Sequence, residues 1–490
     1  MKVAQSRSWL APLIFFSITI DILWHRYVGF IRDDAFITFR FAHNLSIDRG
    51  LVFNPGEHIY GSSSPGFAIL MAAWLTLFPD QPLAGALLLN IMASTLSLII
   101  VWKLLEALSL SALQRALVLF ILVWSDKLLL HSLEGMETPL VVACMLASAY
   151  FLTRNRPAMA GLTAGLMLWL RIDSAIWIVA LSLAFFAFNS SLKALTVKPI
   201  PTFLAVTGLV YLPWLIFAWQ IYGTIIPHTA IAKQVAYAIN APPWTHRLAM
   251  FAWMTPVSLM SDPVLDNIGA SITYLVALYG AWVYRKSVFV WVLLIFFVLQ
   301  TIALVALNMT VEQRYFTTSL YALLILFGLG LCAIQIPMKP GILLLGIYAF
   351  VTFVFAFPRM QHLARRAHYV QDTLTNMGAW LYENSPVDSV TYLEPLGFVG
   401  YYADRVMIDD VGLISPRVTE LKRHQVDSFT IPVLLEADYV ILHCDDAKRA
   451  PEEFPYTQVV AQFDPLNFES GEPWSDPVVQ RTACYQINAP

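Results

Sequence analysis

From residue 9 to residue 358 the chain is a succession of apolar runs separated by short polar breaks. The runs cover 9–30, 83–105, 113–131, 138–153, 157–171, 173–190, 200–221, 268–284, 287–307, 313–335 and 340–358. Most hold about 16–25 residues, long enough or nearly long enough for a helix to cross a bilayer. They predict about eleven membrane spans. One further apolar stretch, "SSSPGFAILMAAWLTLF" at 62–78, is read as a juxtamembrane helix. Counting it as a span would carry the basic break with Lys103 and Arg115 to the opposite side of the membrane. Beyond Pro358 the pattern changes. "MQHLARRAHYVQDTLTNMGAWLYENSP" has the periodicity of an amphipathic helix, and "VTYLEP", "RVMIDD" and "ADYVILHCDD" are strand-like runs that end in acidic turns. The expected fold is mainly α. It has a polytopic transmembrane helical core over 1–358, with a first outer loop at 31–82 carrying juxtamembrane helices. A C-terminal soluble α/β domain follows over 359–490.

The basic residues give this pattern a direction. With the N-terminus in the cytoplasm, the cytoplasmic connections contain Lys103 and Arg115, Arg154 and Arg156, Lys193 and Lys198, Arg285 and Lys286, and Lys339. These breaks are short and basic, as cytoplasmic loops tend to be. The long or polar segments then fall outside: 31–82, the "SLEGMETP" loop, 222–267 and the C-terminal region. The start, "MKVAQSRSWLAPLIFF", sets Lys2 and Arg7 before an apolar run with no small-residue cleavage site, the pattern of a retained signal anchor.

Composition agrees with a membrane solvent. Hydrophobic residues make up 58% of the chain and charged residues 13%, at a mean hydropathy of +0.64, whereas a soluble domain carries about 25% charge. A net charge of −3 offers no footprint for nucleic acid. The cysteines show no metal-ligand spacing. Cys144 and Cys332 lie in apolar runs, where a small buried hydrophobe is expected. Cys444 and Cys484 lie in the polar C-terminal part and could pair if it faces an oxidising compartment.

Candidate chemistry begins where the first apolar run stops. Asp33 and Asp34 precede a helical pattern in which Ile37, Phe41 and Leu45 recur at four-residue spacing. One acid could cap that helix and the other favour its positive end. A cap needs only one acid, and ionisable groups beside a membrane are functional candidates. A carboxylate there can take the proton of an attacking hydroxyl.

The stretch "DDAFITFRFAHNLSIDRGLVFNPGEHIYGSSSPG" resembles the first outer loop of GT-C superfamily membrane glycosyltransferases. The nearest likeness is to cell-wall arabinofuranosyltransferases that add terminal β-arabinofuranose. It extends to "LEGMETPL" (133–140), "RID" (171–173), "YGTIIPHTAIAK" (222–233) and "LGFVGYYADRVMIDDVGL" (396–413). The resemblance implies a GT-C helical core in a bacterial inner membrane, with the active site and C-terminal domain extracytoplasmic. It implies a polyprenyl-phosphate sugar donor, a glycan or lipid acceptor, and inversion at the anomeric carbon. Arabinofuranose is the favoured sugar, with mannose or galactofuranose close behind.

It further implies that Asp33 is the base and that Asp34 orients the acceptor, binds a sugar hydroxyl or holds a metal, although the two roles could be exchanged. The leaving phosphate calls for a cation, for which Arg40, His228, Lys233 and Arg314 are the outer-side candidates, with Tyr315 as a hydroxyl donor. For each of them an interfacial anchoring role is the plainer alternative. Glu137, which aligns with the family's glutamate more directly than Glu134, is a candidate sugar-hydroxyl ligand. Arg171 and Asp173 are expected to form an ion pair where two apolar runs meet. No cofactor is required, and a divalent cation is compatible with the acids without being demanded by them. The rival reading is a secondary transporter or flippase, but the chain has no internal repeat of the kind such folds often carry.

Overall fold

The computed structural model describes residues 9–191, 199–238, 242–249, 263–306, 313–334, 338–463 and 484–490. Lys2, Arg7, Lys193, Lys198 and the stretches 239–241 and 250–262 lie outside the described residues. The chain divides into two compact units.

The first unit takes residues 1–27, 86–214 and 241–361 and is helical. Among the described residues, four helices are both long and apolar enough to cross a membrane: Pro82–Glu106, Pro199–Tyr222, Val288–Ala306 and Arg314–Ala333. Two bent pairs raise the number to six if each pair is one span, and the remaining apolar helices are shorter. Four to six spans therefore meet both criteria, against the eleven expected from the apolar runs. Local capping explains part of the difference. The run at 113–131 is two helices, Ala112–Val123 and Asp126–Leu133, set at 60°. The first opens with a capping box of Ser111 and Gln114, and the hydroxyl of Ser125 accepts from the Leu128 amide to start the second. Elsewhere the packing depends on small residues. The helices Pro263–Val283 and Thr317–Ala333 meet glycine to glycine, and a Cβ on Gly330 would overlap the Val276 carbonyl.

The helix Met338–Asn384 is 47 residues long and runs through Pro358, so the composition change at that residue falls inside one continuous element.

The second unit takes residues 28–85, 215–240 and 362–490. Its sheet contains β1 (Val390–Leu393), β2 (Val406–Asp409), β3 (Tyr439–His443), β4 (Gln458–Phe463) and β5 (Tyr485–Ala489), in the order β2-β1-β3-β5-β4. β1 runs parallel to β2 and β3, whereas β5 pairs antiparallel with β3 and β4. Tyr392, Val418, Ile431, Val440 and Phe454 belong to its core. Cys444 and Cys484 form a disulfide between the end of β3 and the start of β5, with Cα atoms 5.5 Å apart. The helix Asp33–Ser46 packs on Pro65–Leu77 and on Leu396–Ala403, where Phe36 stacks on Phe398 at 4.0 Å between centroids.

Candidate functional site

Asp33 and Asp34 are the first two residues of the helix Asp33–Ser46. Successive side chains on a helix point about 100° apart, and these two carboxylates have different neighbours. Oδ2 of Asp33 accepts from the Gly397 amide at 2.8 Å and Oδ1 from the Phe398 amide at 2.9 Å. Those amides belong to the first turn of Leu396–Ala403, where no intrahelical carbonyl can reach them. Asp33 thus caps a helix other than its own. Gly397 permits the approach, because a Cβ there would overlap the Asp33 carbonyl oxygen. Burial pushes the Asp33 carboxyl up to about 7 against these two amide bonds, and the nearby charges of Asp34 and Glu394 push the same way.

Asp34 remains partly open, its side chain 32% exposed, with the Lys233 ammonium 4.0 Å from Oδ2. Lys233 is carried by the helix His228–Ala238. Glu394, just after β1, senses the same region. Burial raises its carboxyl, as do the charges of Asp410 and Asp34, while Lys422 opposes them. Asp410 is in turn held by Lys422 at 3.0 Å and by the Tyr392 hydroxyl. Glu394 escaped the sequence reading, although it stands two residues before the family-like segment 396–413.

Two expected phosphate ligands are committed elsewhere. Arg40 is 2% exposed, and its guanidinium donates to the carbonyls of Phe53, Gly400 and Arg405 while lying over the Phe53 ring. Its fork is filled by backbone, and burial lowers its pKa to about 10. His228 has Nε2 3.0 Å from the Thr419 hydroxyl, and its backbone amide donates to the Tyr60 carbonyl at 2.7 Å. Burial lowers its pKa, as Arg423 does, while a hydrogen bond to the Gly412 backbone opposes them. A neutral imidazole fixing a loop meets a phosphate poorly. Both residues therefore serve the architecture of the second unit.

In the first unit a separate group forms from "LEGMETPL", "RID" and "QRY". Glu137, 2% exposed, immediately precedes the helix Thr138–Thr153, and its Oε1 lies 3.5 Å from Arg171. Burial raises the Glu137 carboxyl, with Arg171 and Arg314 opposing. The expected Arg171–Asp173 pair is present, but Arg171 also faces Glu137 and the Tyr315 ring. Arg314, 4% exposed, lies over that same ring. Arg171, Asp173, Arg314, Tyr315 and Gln300 share a narrow pocket, walled on its apolar side by Trp177 and Phe296. Sequence reasoning left Arg171 out of the binding set because a nearby acid already explained it.

Among the described residues no group of three or more His, Cys, Asp or Glu side chains is arranged to hold a metal ion.

Comparison with solved structures gives the fold a context. ArnT from Cupriavidus metallidurans, bound to undecaprenyl phosphate, matches over 98% of this chain and 98% of its own, at TM-score 0.61 and 10% identity. The Archaeoglobus fulgidus oligosaccharyltransferase, tethered to an acceptor peptide with the NVT sequon, matches over 90% of this chain and 69% of its own. Its TM-score is 0.56 and its identity 14%. At these identities the likeness is one of fold. Residues 361–485 match a family described as a domain of unknown function (DUF8728). No curated protein matches the sequence.

Proposed function

We propose that this protein is a multi-pass membrane glycosyltransferase that moves a sugar from a polyprenyl-phosphate donor to a hydroxyl of a cell-envelope glycan or lipid. The observation that carries the reading is the fold likeness to ArnT bound to undecaprenyl phosphate, which runs the length of both chains. Arabinofuranose is the favoured sugar, on the likeness of the first outer loop. The bacterial inner membrane is the favoured location, with the chemistry on the extracytoplasmic face.

Asp34 takes the role of base. Both oxygens of Asp33 already accept amide protons, whereas Asp34 is partly exposed beside Lys233. In the reaction Asp34 accepts the proton of the acceptor hydroxyl as its oxygen attacks the anomeric carbon. The bond from that carbon to the phosphate oxygen breaks, and the prenyl phosphate leaves with the electron pair. The anomeric configuration inverts. Lys233 lies 4.0 Å from Asp34, and Arg314 with Tyr315, in the separate group of the first unit, is suited to a phosphate. Glu137 is suited to the sugar hydroxyls. Arg40 and His228 drop out of the substrate-binding set.

The test is release of free prenyl phosphate from a short-chain polyprenyl-phosphoryl arabinofuranose by purified protein, with glycan extract as acceptor. Loss of a general base costs about 10²–10⁴-fold in rate, so Asp34→Asn should fall by that factor while its thermal unfolding is unchanged. Equal rates for Asp34→Asn and the parent would remove Asp34 from the chemistry. Absence of donor cleavage across a panel of donor sugars would overturn the transferase and reopen the transporter reading.

A further inference from the structure

Around Tyr315 the first unit holds two guanidiniums against one ring, Arg171 at 5.6 Å and Arg314 at 5.3 Å from its centroid. Like charges so placed in a largely apolar pocket require compensating anions. Glu137 and Asp173 supply them, and the two acids are held very differently. Glu137 is 2% exposed, approaches Arg171 only to 3.5 Å, and leaves Oε2 buried without a hydrogen-bond partner. Asp173 is 45% exposed and grips Arg171 with both oxygens, Nε to Oδ1 at 3.0 Å and Nη2 to Oδ2 at 2.7 Å. That parallel fork is the geometry a guanidinium offers to a phosphate. Asp173 also sits in the 3-10 turn Ile172–Ser174, between the helices Pro157–Leu170 and Ala175–Ser191 rather than inside either.

We infer that Arg171 is the fork of a phosphate-ester site and that Asp173 is its displaceable internal occupant, with Glu137 as the fixed counter-charge. The ligand class is a phosphate ester carried on a lipid or on a soluble molecule. The inference rests on the proposed function for its choice of phosphate, and goes beyond it by adding Arg171 to the binding set and giving Asp173 a competing role. Competition makes a sign prediction that a structural pair does not. If Asp173 only holds Arg171 in place, removing its charge weakens phosphate binding. If it occupies the site, removing its charge strengthens it.

The experiment uses the full chain in lipid nanodiscs and measures dissociation constants for undecaprenyl phosphate, for inorganic phosphate and for the phosphate-free prenol. The expected result is that Asp173→Asn tightens a phosphate-bearing probe about 10-fold, the scale of one charge-assisted hydrogen bond, and leaves the prenol unchanged. Arg171→Lys, which keeps the charge but loses the fork, should weaken the same probe by at least as much while its unfolding temperature stays near that of the parent. Tightening confined to undecaprenyl phosphate identifies a lipid source, and equal tightening of inorganic phosphate identifies a soluble one. Unchanged or weakened binding in Asp173→Asn overturns the inference even if transfer is observed. Tightened binding without donor cleavage under any condition overturns the transferase and leaves the phosphate site standing.

Discussion

Asp33 and Asp34 are covalent neighbours with different partners, because only one of two successive helical side chains can face the amides of Gly397 and Phe398. Asp33→Asn keeps one acceptor oxygen and replaces the other with a donor, so one first-turn amide loses its partner. That should cost about 1–3 kcal/mol, read as a lowered unfolding temperature, a loss that Asp34→Asn does not share. Gly397→Ala should cost a similar amount, about 1–3 kcal/mol for overpacking, since its Cβ meets the Asp33 carbonyl oxygen. A Gly397→Ala protein as stable as the parent would mean that the contact between the two helices is looser than described. None of this was legible in the sequence. It showed two acids before a helix, but the amides that separate their roles lie 364 and 365 residues further on. The same distance hid the role of Arg40, whose acceptors at Phe53, Gly400 and Arg405 have no spacing a sequence can display.

Among elements, Arg40 is the peg that ties the helix Asp33–Ser46 to Phe53, to Gly400 within Leu396–Ala403 and to Arg405 just after it. Arg40→Lys retains the charge but cannot reach three carbonyls at once, and about 1–3 kcal/mol of stability should be lost for each buried acceptor left unpaired. Thermal unfolding of the detergent-solubilised chain measures it. A change within error would return Arg40 to the list of available cations. His228 gives a pH dependence with a definite sign. Its pKa is depressed below the ordinary 6.5, so at pH values under 6.5 the unfolded chain binds the proton that the folded chain resists. Its contribution is therefore complete above that value and is lost as pH falls through the lower folded pKa. The parent should lose unfolding temperature on acidification from pH 7 to 5 more steeply than His228→Gln, which cannot take up the proton. Parallel slopes would show that the imidazole is not restrained. Periodicity announced the helices and β1–β3 well, because their apolar faces are buried. It overran where a cap intervenes, as at Ser125 inside the 113–131 run. It missed β4 and β5, the antiparallel pair at one end of the sheet; β4 is an edge strand with no buried residue and little apolar alternation.

For the whole molecule, the pattern of apolar runs spoke for the solvent more securely than for the number of crossings, since among the described residues four to six segments satisfy both length and apolarity. Orientation rests on the basic loops, and the disulfide Cys444–Cys484 provides an independent test of it. Disulfides persist in oxidising compartments and are rare where thiols are kept reduced, which favours the proposed extracytoplasmic side for the C-terminal region. The remaining cysteines do not confuse the measurement, because Cys144 is only partly exposed and Cys332 is buried, both within apolar helices. In intact cells stripped of their outer envelope, a membrane-impermeant maleimide should leave the chain unmodified. After an impermeant reductant it should add two labels, both absent from a Cys444→Ser/Cys484→Ser variant. That variant should also be less stable. Closing a loop with a sequence separation of 40 restricts the unfolded chain by about 4 kcal/mol on the chain-entropy account. Labelling that needs no reductant and appears only after the membrane is opened would put these residues in the cytoplasm, reverse the orientation of every span, and move Asp34 away from an outer-leaflet donor.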